Sequence, residues 1–310
     1  MGKSFKPIIF IHRGDSFYLK YAFECARKYN PHSRIILLGQ GVKEIPDFVE
    51  YYEISSFSKT LKSFQKIYKH YSYNNEEIER FCIERWIILS EFLRLNKIDN
   101  CLTLDSDILL FVDVTKDAEK FEKYDFTLAY HSSGALMYIN RSKTISELAE
   151  YIISLYSTKQ GLKKLLFFWD NYRQNTDGGG MNDMILLKWF YEKCPSRVGE
   201  VSNIIKGSLY DAAINGTRQK MVMDHGIKKV DFIEGVPYCT LSGSEKKIRM
   251  CCFHFQGPTK FYMKYFSEGR LSKTDKLTVI GLMFFRDKLS PILSTGLRSF
   301  FKKCLMWLKI

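Results

Sequence analysis

The stretch that decides the fold is LTLDSDILLF, at residues 102–111. Two carboxylates, Asp105 and Asp107, interrupt an otherwise apolar run. Burying an isolated carboxylate is very costly, so the pair is expected where a buried strand emerges. Strand side chains alternate between faces, so both carboxylates are predicted to point to the same side. Such a pair is a ready site for a hard divalent cation, which could then hold a phosphate group.

The segments around this stretch predict an α/β fold. A strand at 7–11, a helix at 17–29 and a strand at 34–39 indicate a parallel β-α-β unit. Further strands are predicted at 47–54, 101–104, 126–130, 134–140 and 250–255, and helices over most of 58–97, at 143–158 and from about 181. The predicted organisation is one domain over 1–268, followed by a basic C-terminal segment over 269–310.

The C-terminal segment concentrates the positive charge of the chain. The net charge is +13, and residues 270–310 contain nine Lys or Arg against two acids. Leucines, phenylalanines and a tryptophan alternate with these basic residues, a composition typical of a helix lying on an anionic membrane surface. The alternative is a helix packed on the domain with solvated lysines. Nucleic acid is not an expected partner, because no recognised binding motif accompanies the charge.

The cysteines indicate a reducing compartment. The eight cysteines form no C-x-x-C pair and no spacing typical of a zinc site or a disulfide framework. Free thiols in the cytoplasm are therefore expected. No stretch approaches the roughly 20 apolar residues that a membrane-spanning helix needs. The expected location is the cytoplasm, with the C-terminal segment on the inner face of the membrane.

A second polar motif, HFQGPTK at 254–260, follows the late strand. The imidazole of His254 is a suitable third ligand for an Mn²⁺-type ion. Gly257 would let the backbone approach a phosphate, and Lys260 offers a point charge to a diphosphate. On its own, His254 is better explained as a satisfied structural histidine than as a ligand. The preceding D-x-D makes the combination more specific.

Two loops are further candidates. His12, Arg13 and Asp15 follow the first strand, and ligands bind at the carboxyl ends of parallel strands in open α/β sheets. The alternative is an ordinary turn between a strand and a helix. The glycine-rich run 177–180 precedes Asp183 and is predicted to be a flexible active-site loop, with a plain connector as the alternative.

Asp105-x-Asp107 followed much later by His254-x-x-Gly257-x-x-Lys260 resembles glycosyltransferase family 8 and related nucleotide-diphospho-sugar transferases of the GT-A fold. The resemblance implies a mixed central sheet flanked by helices. It also implies that the two aspartates and the histidine bind Mn²⁺ (or Mg²⁺) and that the lysine contacts the donor diphosphate. The nucleotide base is implied to lie at the loop after the first strand.

Three more segments resemble family motifs. ERWIILSEFL at 84–93 resembles the helix whose arginine, here Arg85, contacts the donor. SGALMYIN at 133–140 resembles the strand that lines the donor sugar, through Gly134, with Ser133 where the family has Asn. GMNDMIL at 180–186 matches a helix start beside the reacting centre, through Asp183, with Met184 where Gln is expected. Asp183 is the catalytic candidate, and Ser106 is a further candidate donor contact.

The function predicted from these residues is metal-dependent transfer of a sugar from a nucleoside-diphosphate sugar to an acceptor hydroxyl, on a glycan or lipid-linked glycan. Synthesis of a surface polysaccharide or glycolipid is the expected setting. Family 8 implies retention of anomeric configuration; in an inverting enzyme Asp183 would be a general base. Two alternatives stay open. One is a haloacid-dehalogenase-type phosphatase, weakened by Leu109 where that class has Thr or Val. The other is a catalytically silent, membrane-bound interaction protein.

Overall fold

The computed structural model describes residues 5–284. In chain order the strands are β1 Ile8–Arg13, β2 Ile35–Gln40, β3 Val49–Glu53, β4 Cys101–Leu104, β5 Ile108–Leu110, β6 Phe126–Leu128, β7 Leu136–Ile139, β8 Val198–Glu200, β9 Ser208–Tyr210, β10 Met223–Asp224, β11 Ile227–Lys228, β12 Val230–Ile233, β13 Val236–Thr240 and β14 Lys247–His254. The α-helices are α1 Leu19–Tyr29, α2 Ser58–Ile67, α3 Glu76–Leu95, α4 Val114–Asp117, α5 Ser142–Ser157, α6 Lys159–Asn175, α7 Asp183–Lys193, α8 Met263–Ser267 and α9 Lys273–Phe284.

The chain divides into two units. The first contains the residues up to Asp15, Asn30–Asp105 and Asp113–Asn203. The second contains Ser16–Tyr29, Ser106–Val112 and the described residues from Ile204 onward. The boundary passes between Asp105 and Ser106, inside the D-x-D sequence.

The first unit is built on a seven-stranded mixed sheet of order β3-β2-β1-β4-β7-β6-β8. The pairs β1–β2, β2–β3 and β1–β4 are parallel, whereas β7 runs antiparallel to both β4 and β6. All four residues of β4 are buried, as its continuous apolar run predicts for a central strand. The predicted α/β class, with a mixed central sheet and accompanying helices, is confirmed.

Helix α3 supplies much of the core of the first unit. Asn75 caps its N-terminus by accepting a hydrogen bond from the Ile78 N–H, and three glutamates occupy its first turn, where the helix dipole favours negative charge. Its buried face includes Trp86, Leu89 and Phe92, which belong to the same apolar core as sheet residues. This packing fixes the rotation of α3 and therefore the direction of Arg85, one residue before Trp86.

The second unit is built on an antiparallel sheet of order β12-β13-β14-β5, with β9 also pairing β14. Strand β5 pairs with the end of β14, so that Ile108 lies opposite His254. Phe111, Phe253 and Phe266 pack in edge-to-face geometry in its core. The pairing of β5 with β14 brings the D-x-D segment to the histidine motif.

The structure differs from the predictions at two points, the D-x-D turn and helix α6. Asp105, Ser106 and Asp107 form a turn between β4 and β5 and are not part of a strand. The alternation argument for their two side chains therefore does not apply. The region 58–97 is mostly helical, as predicted, and contains two helices separated by residues 68–75. Helix α6 was not predicted: Leu165, Phe168 and Trp169 pack against the core, but Phe167 is 73% exposed, so apolar residues lie on both of its faces.

Other expectations agree with the structure or lie outside it. The parallel β1-α1-β2 connection is present. None of the cysteines among residues 5–284 forms a disulfide. No helix within that range is long and apolar enough to cross a membrane. The domain boundary at 268/269 stays a prediction, because most of the basic segment, residues 285–310, lies outside the described residues.

Candidate functional site

Arg85 joins two predicted site carboxylates in the first unit. Its guanidinium donates to Asp105 Oδ1 and to Asp183 Oδ2, each at 2.5 Å. Burial lowers the pKa of Arg85, but the two carboxylates outweigh burial and raise it overall. The side chains of Arg85 and Asp183 are 15% and 8% exposed, so the ion pairs lie largely out of water. Three residues predicted separately from three motifs therefore form one cluster.

Asp183 is positioned by the start of helix α7. Asn182 is the N-cap and accepts a hydrogen bond from the Ile185 N–H, which makes Asp183 the first helical residue. A carboxylate there is favoured by the helix dipole. The preceding loop is tied down, because Gly179 O accepts from the Tyr73 N–H at 2.7 Å and Tyr71 O accepts from the Met181 N–H at 2.8 Å.

The predicted nucleotide-loop residues lie at the end of β1 in the first unit. His12 is buried. Arg13 contacts Glu84 at 3.4 Å and covers the ring of Phe81. Asp15 lies 3.9 Å from the ammonium of Lys43. Arg13 is thus engaged by α3, a contact that the turn sequence alone did not indicate.

Packing against Trp86 explains why position 134 is a glycine. A Cβ atom there would meet the Trp86 ring at 2.5 Å. The close approach of backbone and indole therefore requires glycine at this position, independently of any contact with a ligand.

A second cluster, in the second unit, contains Asp107, His254 and Lys260. Asp107 Oδ1 lies 3.3 Å from His254 Nε2, and Asp107 Oδ2 accepts from Lys260 Nζ at 3.1 Å. Burial raises the pKa of Asp107, but the hydrogen bonds and charges of His254 and Lys260 lower it to about 2. Burial likewise lowers the pKa of Lys260, and Asp107 outweighs it to give a raised value.

The other residues of the histidine motif shape the surroundings of this cluster. Lys260 lies over the ring of Tyr18 at 4.9 Å. Gly257 has φ +56°, a conformation that favours glycine, and a Cβ atom there would have no neighbour within 4 Å. Ser106, beside Asp107 in the chain, is buried. Gly257 is exposed, so its backbone is accessible.

Sequence reasoning missed the residues that support His254. Its Nδ1 lies 2.9 Å from Ala212 O, and its backbone N–H donates to Asp211 Oδ2 at 3.0 Å. Asp211 forms an ion pair with Lys228, and the two side chains are 0% and 1% exposed. No motif marks Asp211 or Lys228 in the weakly patterned region 195–250. The only available signal was an isolated acidic and an isolated basic residue close to short strands.

No protein-family model matches the sequence, and no curated protein matches it. Solved structures of glycosyltransferases share part of the fold. Mouse xyloside xylosyltransferase 1 has a TM-score of 0.43 and 8% identity, over 64% of this chain and 86% of that one. The bifunctional glycosyltransferase WbbM has a TM-score of 0.41 and 11% identity, over 69% and 41%. GlyE of Streptococcus pneumoniae TIGR4 has 0.35 and 15%, over 66% and 47%.

The chain therefore spans less than half the length of WbbM and of GlyE. Identities and TM-scores this low describe a partial likeness of fold. The activity of this chain is therefore argued from its own residues.

Arg85→Ala should be strongly destabilising, because it removes the positive partner of two poorly solvated carboxylates. Breaking a buried ion pair costs about 3–5 kcal/mol. Arg94 is exposed on the same helix, so Arg94→Ala should change the free energy of unfolding by less than about 0.5 kcal/mol. Urea unfolding of both variants checks this. Equal, small losses of stability would contradict the assigned role of Arg85.

Proposed function

We propose that the chain is a metal-dependent glycosyltransferase that moves a sugar from a nucleoside-diphosphate sugar to an acceptor hydroxyl. The observation that carries the proposal is the convergence of Asp107, His254 and Lys260. An acid, an imidazole and an ammonium from two distant motifs meet, as a metal–diphosphate site requires. The GT-A resemblance of the same motifs supports this assignment.

The proposed metal ligands are Asp105, Asp107 and His254, each of which offers one ligand atom. Asp105 is separated from Asp107 by a single residue. Carboxylate oxygens with one imidazole suit Mn²⁺, and Mg²⁺ less closely. The donor set fits, because His254 Nδ1 lies against a carbonyl oxygen and Nε2 is the nitrogen that lies beside Asp107. Such an ion would supply a Lewis acid for the charge that develops on a departing diphosphate.

Lys260 is proposed to stabilise the same leaving group. Its ammonium is fixed by Asp107. A positive group already oriented where charge develops lowers the barrier without reorganising during the reaction. Ser106 and Gly134 are proposed donor contacts, and His12, Arg13 and Asp15 are proposed to contact the nucleotide.

Asp183 is proposed to act at the reacting centre, with Arg85 as the residue that orients it and contacts the donor. In an inverting reaction Asp183 would take the proton of the acceptor hydroxyl. In a retaining reaction, which family 8 would imply, it would orient the sugar instead. In either case the 2.5 Å contact with Arg85 fixes the direction of the Asp183 carboxylate.

The acceptor is proposed to be a glycan or lipid-linked glycan of a surface polysaccharide or glycolipid. The chain is proposed to work in the cytoplasm, at the inner face of the membrane. The support is the basic, aromatic sequence of residues 285–310, outside the described residues.

Asp107→Asn should abolish metal-dependent turnover, because it removes a charged ligand and the anionic partner of two groups. Mn²⁺ affinity should fall by at least about 100-fold, the upper end of what losing an outer-shell partner costs. Isothermal titration with Mn²⁺ and release of nucleoside diphosphate from a sugar nucleotide check this. Asp231→Asn, at an exposed carboxylate paired with Lys247, is the matched control. Wild-type Mn²⁺ binding and turnover in Asp107→Asn would sink the assignment.

Reversing three charges of the C-terminal segment should release the chain from anionic vesicles. Each basic residue near such a surface contributes about 1 kcal/mol. The triple variant Arg298→Glu, Lys302→Glu and Lys303→Glu should bind phosphatidylserine vesicles at least about 100-fold more weakly in co-sedimentation. The control reverses three exposed lysines of α2, Lys59, Lys62 and Lys66. Equal binding by the two variants would reject the membrane role of this segment.

A further inference from the structure

The ion pair of Asp211 and Lys228 is among the most buried polar features of the described chain. Lys228 is 1% exposed and the Asp211 carboxylate 0%. Besides Asp211 Oδ1, the ammonium donates to Ala213 O at 2.6 Å and to Gln219 Oε1 at 3.2 Å. Its three N–H groups therefore meet three acceptors, which satisfies the ammonium. Because buried ion pairs contribute little net stability, stability alone does not account for this pair.

The same network reaches His254 from two sides. Asp211 Oδ2 accepts the His254 backbone N–H at 3.0 Å, and Ala212 O lies 2.9 Å from His254 Nδ1. Ile214 N–H donates to His254 O, and Lys228 N–H donates to Ile214 O. Residues 211–214 are thus bonded both to Lys228 and to His254.

The contact with Ala212 O determines that Nδ1 of the imidazole carries a proton. A carbonyl oxygen only accepts hydrogen bonds, so Nδ1 must carry its proton when it bonds Ala212 O. Nε2 faces Asp107 at 3.3 Å: protonated, it donates to that carboxylate, and deprotonated, it offers a lone pair to a cation. If Ala212 moved, Nδ1 would lose the partner that selects this tautomer.

We propose that Asp211 and Lys228 are positioning residues: they hold Ala212 so that His254 keeps its Nδ1–H tautomer and aims Nε2 at Asp107. The consequence for metal binding rests on the proposed function. Partners that orient a histidine ligand in this way change metal affinity by about 10–100-fold when they are removed.

Lys228→Met tests the proposal in the full-length chain. Long-range ¹H–¹⁵N NMR of the histidine ring, assigned with His254→Gln, reports the tautomer without any metal. At a pH at which the ring is neutral, the wild type should show only the Nδ1–H tautomer, and Lys228→Met a mixture of both tautomers. Titration with Mn²⁺ should show about tenfold weaker binding for Lys228→Met. Lys229→Met, at the exposed neighbouring position, should behave as wild type in both measurements.

The outcomes separate this proposal from the function on which it rests. If Lys228→Met leaves a buried carboxylate and fails to fold, the double variant Lys228→Met/Asp211→Asn removes both charges and is measured in the same way. A folded variant that keeps the single Nδ1–H tautomer and wild-type Mn²⁺ affinity would overturn the positioning role. A wild-type chain that holds the tautomer but binds no Mn²⁺ would contradict the metal-dependent function and leave the positioning role supported.

Discussion

The constraint on which the structure depends is the cost of carrying carboxylates next to buried strands. Asp105 and Asp107 follow a strand whose every residue is buried, and Asp183 and Asp211 are themselves nearly inaccessible. Each of these acids is matched by a cation from its own unit. Arg85 serves Asp105 and Asp183, Lys260 serves Asp107, and Lys228 serves Asp211. Buried strands can therefore end next to carboxylates, because each carboxylate has a positive partner.

These pairings also explain why the acids are suited to chemistry. An ion-paired carboxylate stays ionised, and the pKa of Asp107, lowered to about 2, leaves it charged at any physiological pH. The same negative charge that needs a lysine or arginine for stability is what a divalent cation needs from its ligands. The residues that stabilise the structure are thus the same ones that the proposed function uses, and their motifs can be recognised in the sequence.

The parts of the fold that were predictable are those in which local pattern and burial agree. The continuous apolar run of β4 and the β1-α1-β2 spacing predicted central parallel strands, and both are present. Helix α6 was not predictable from periodicity, because it exposes Phe167 while Leu165 packs in the core. The prediction that Asp105 and Asp107 point to the same side extends strand alternation beyond the strand at 101–104, whereas the short polar segment between two apolar strands forms a turn.

The candidate site also contains some residues that the sequence marks and others that it does not. Asp107, His254 and Lys260 belong to motifs that can be recognised in the sequence. In the structure, Asp107 contacts both of the other residues. Lys228 carries no such signal, because what distinguishes it is its burial and its ion pair with Asp211, which follows β9 and which the fold brings to it. Arg85 was predicted as a donor contact, whereas its bonds to Asp105 and Asp183 needed the packing of α3 to become evident.

The most direct test of the central claim is a thermal-shift panel of nucleoside-diphosphate sugars, measured on the full-length chain with and without Mn²⁺. The account predicts that at least one sugar nucleotide raises the Tm when Mn²⁺ is present and has little effect when the metal is removed by chelation. A panel in which no sugar nucleotide stabilises the chain with Mn²⁺ would contradict it. Phosphate release from simple monoesters by the same preparation would then favour the phosphatase alternative.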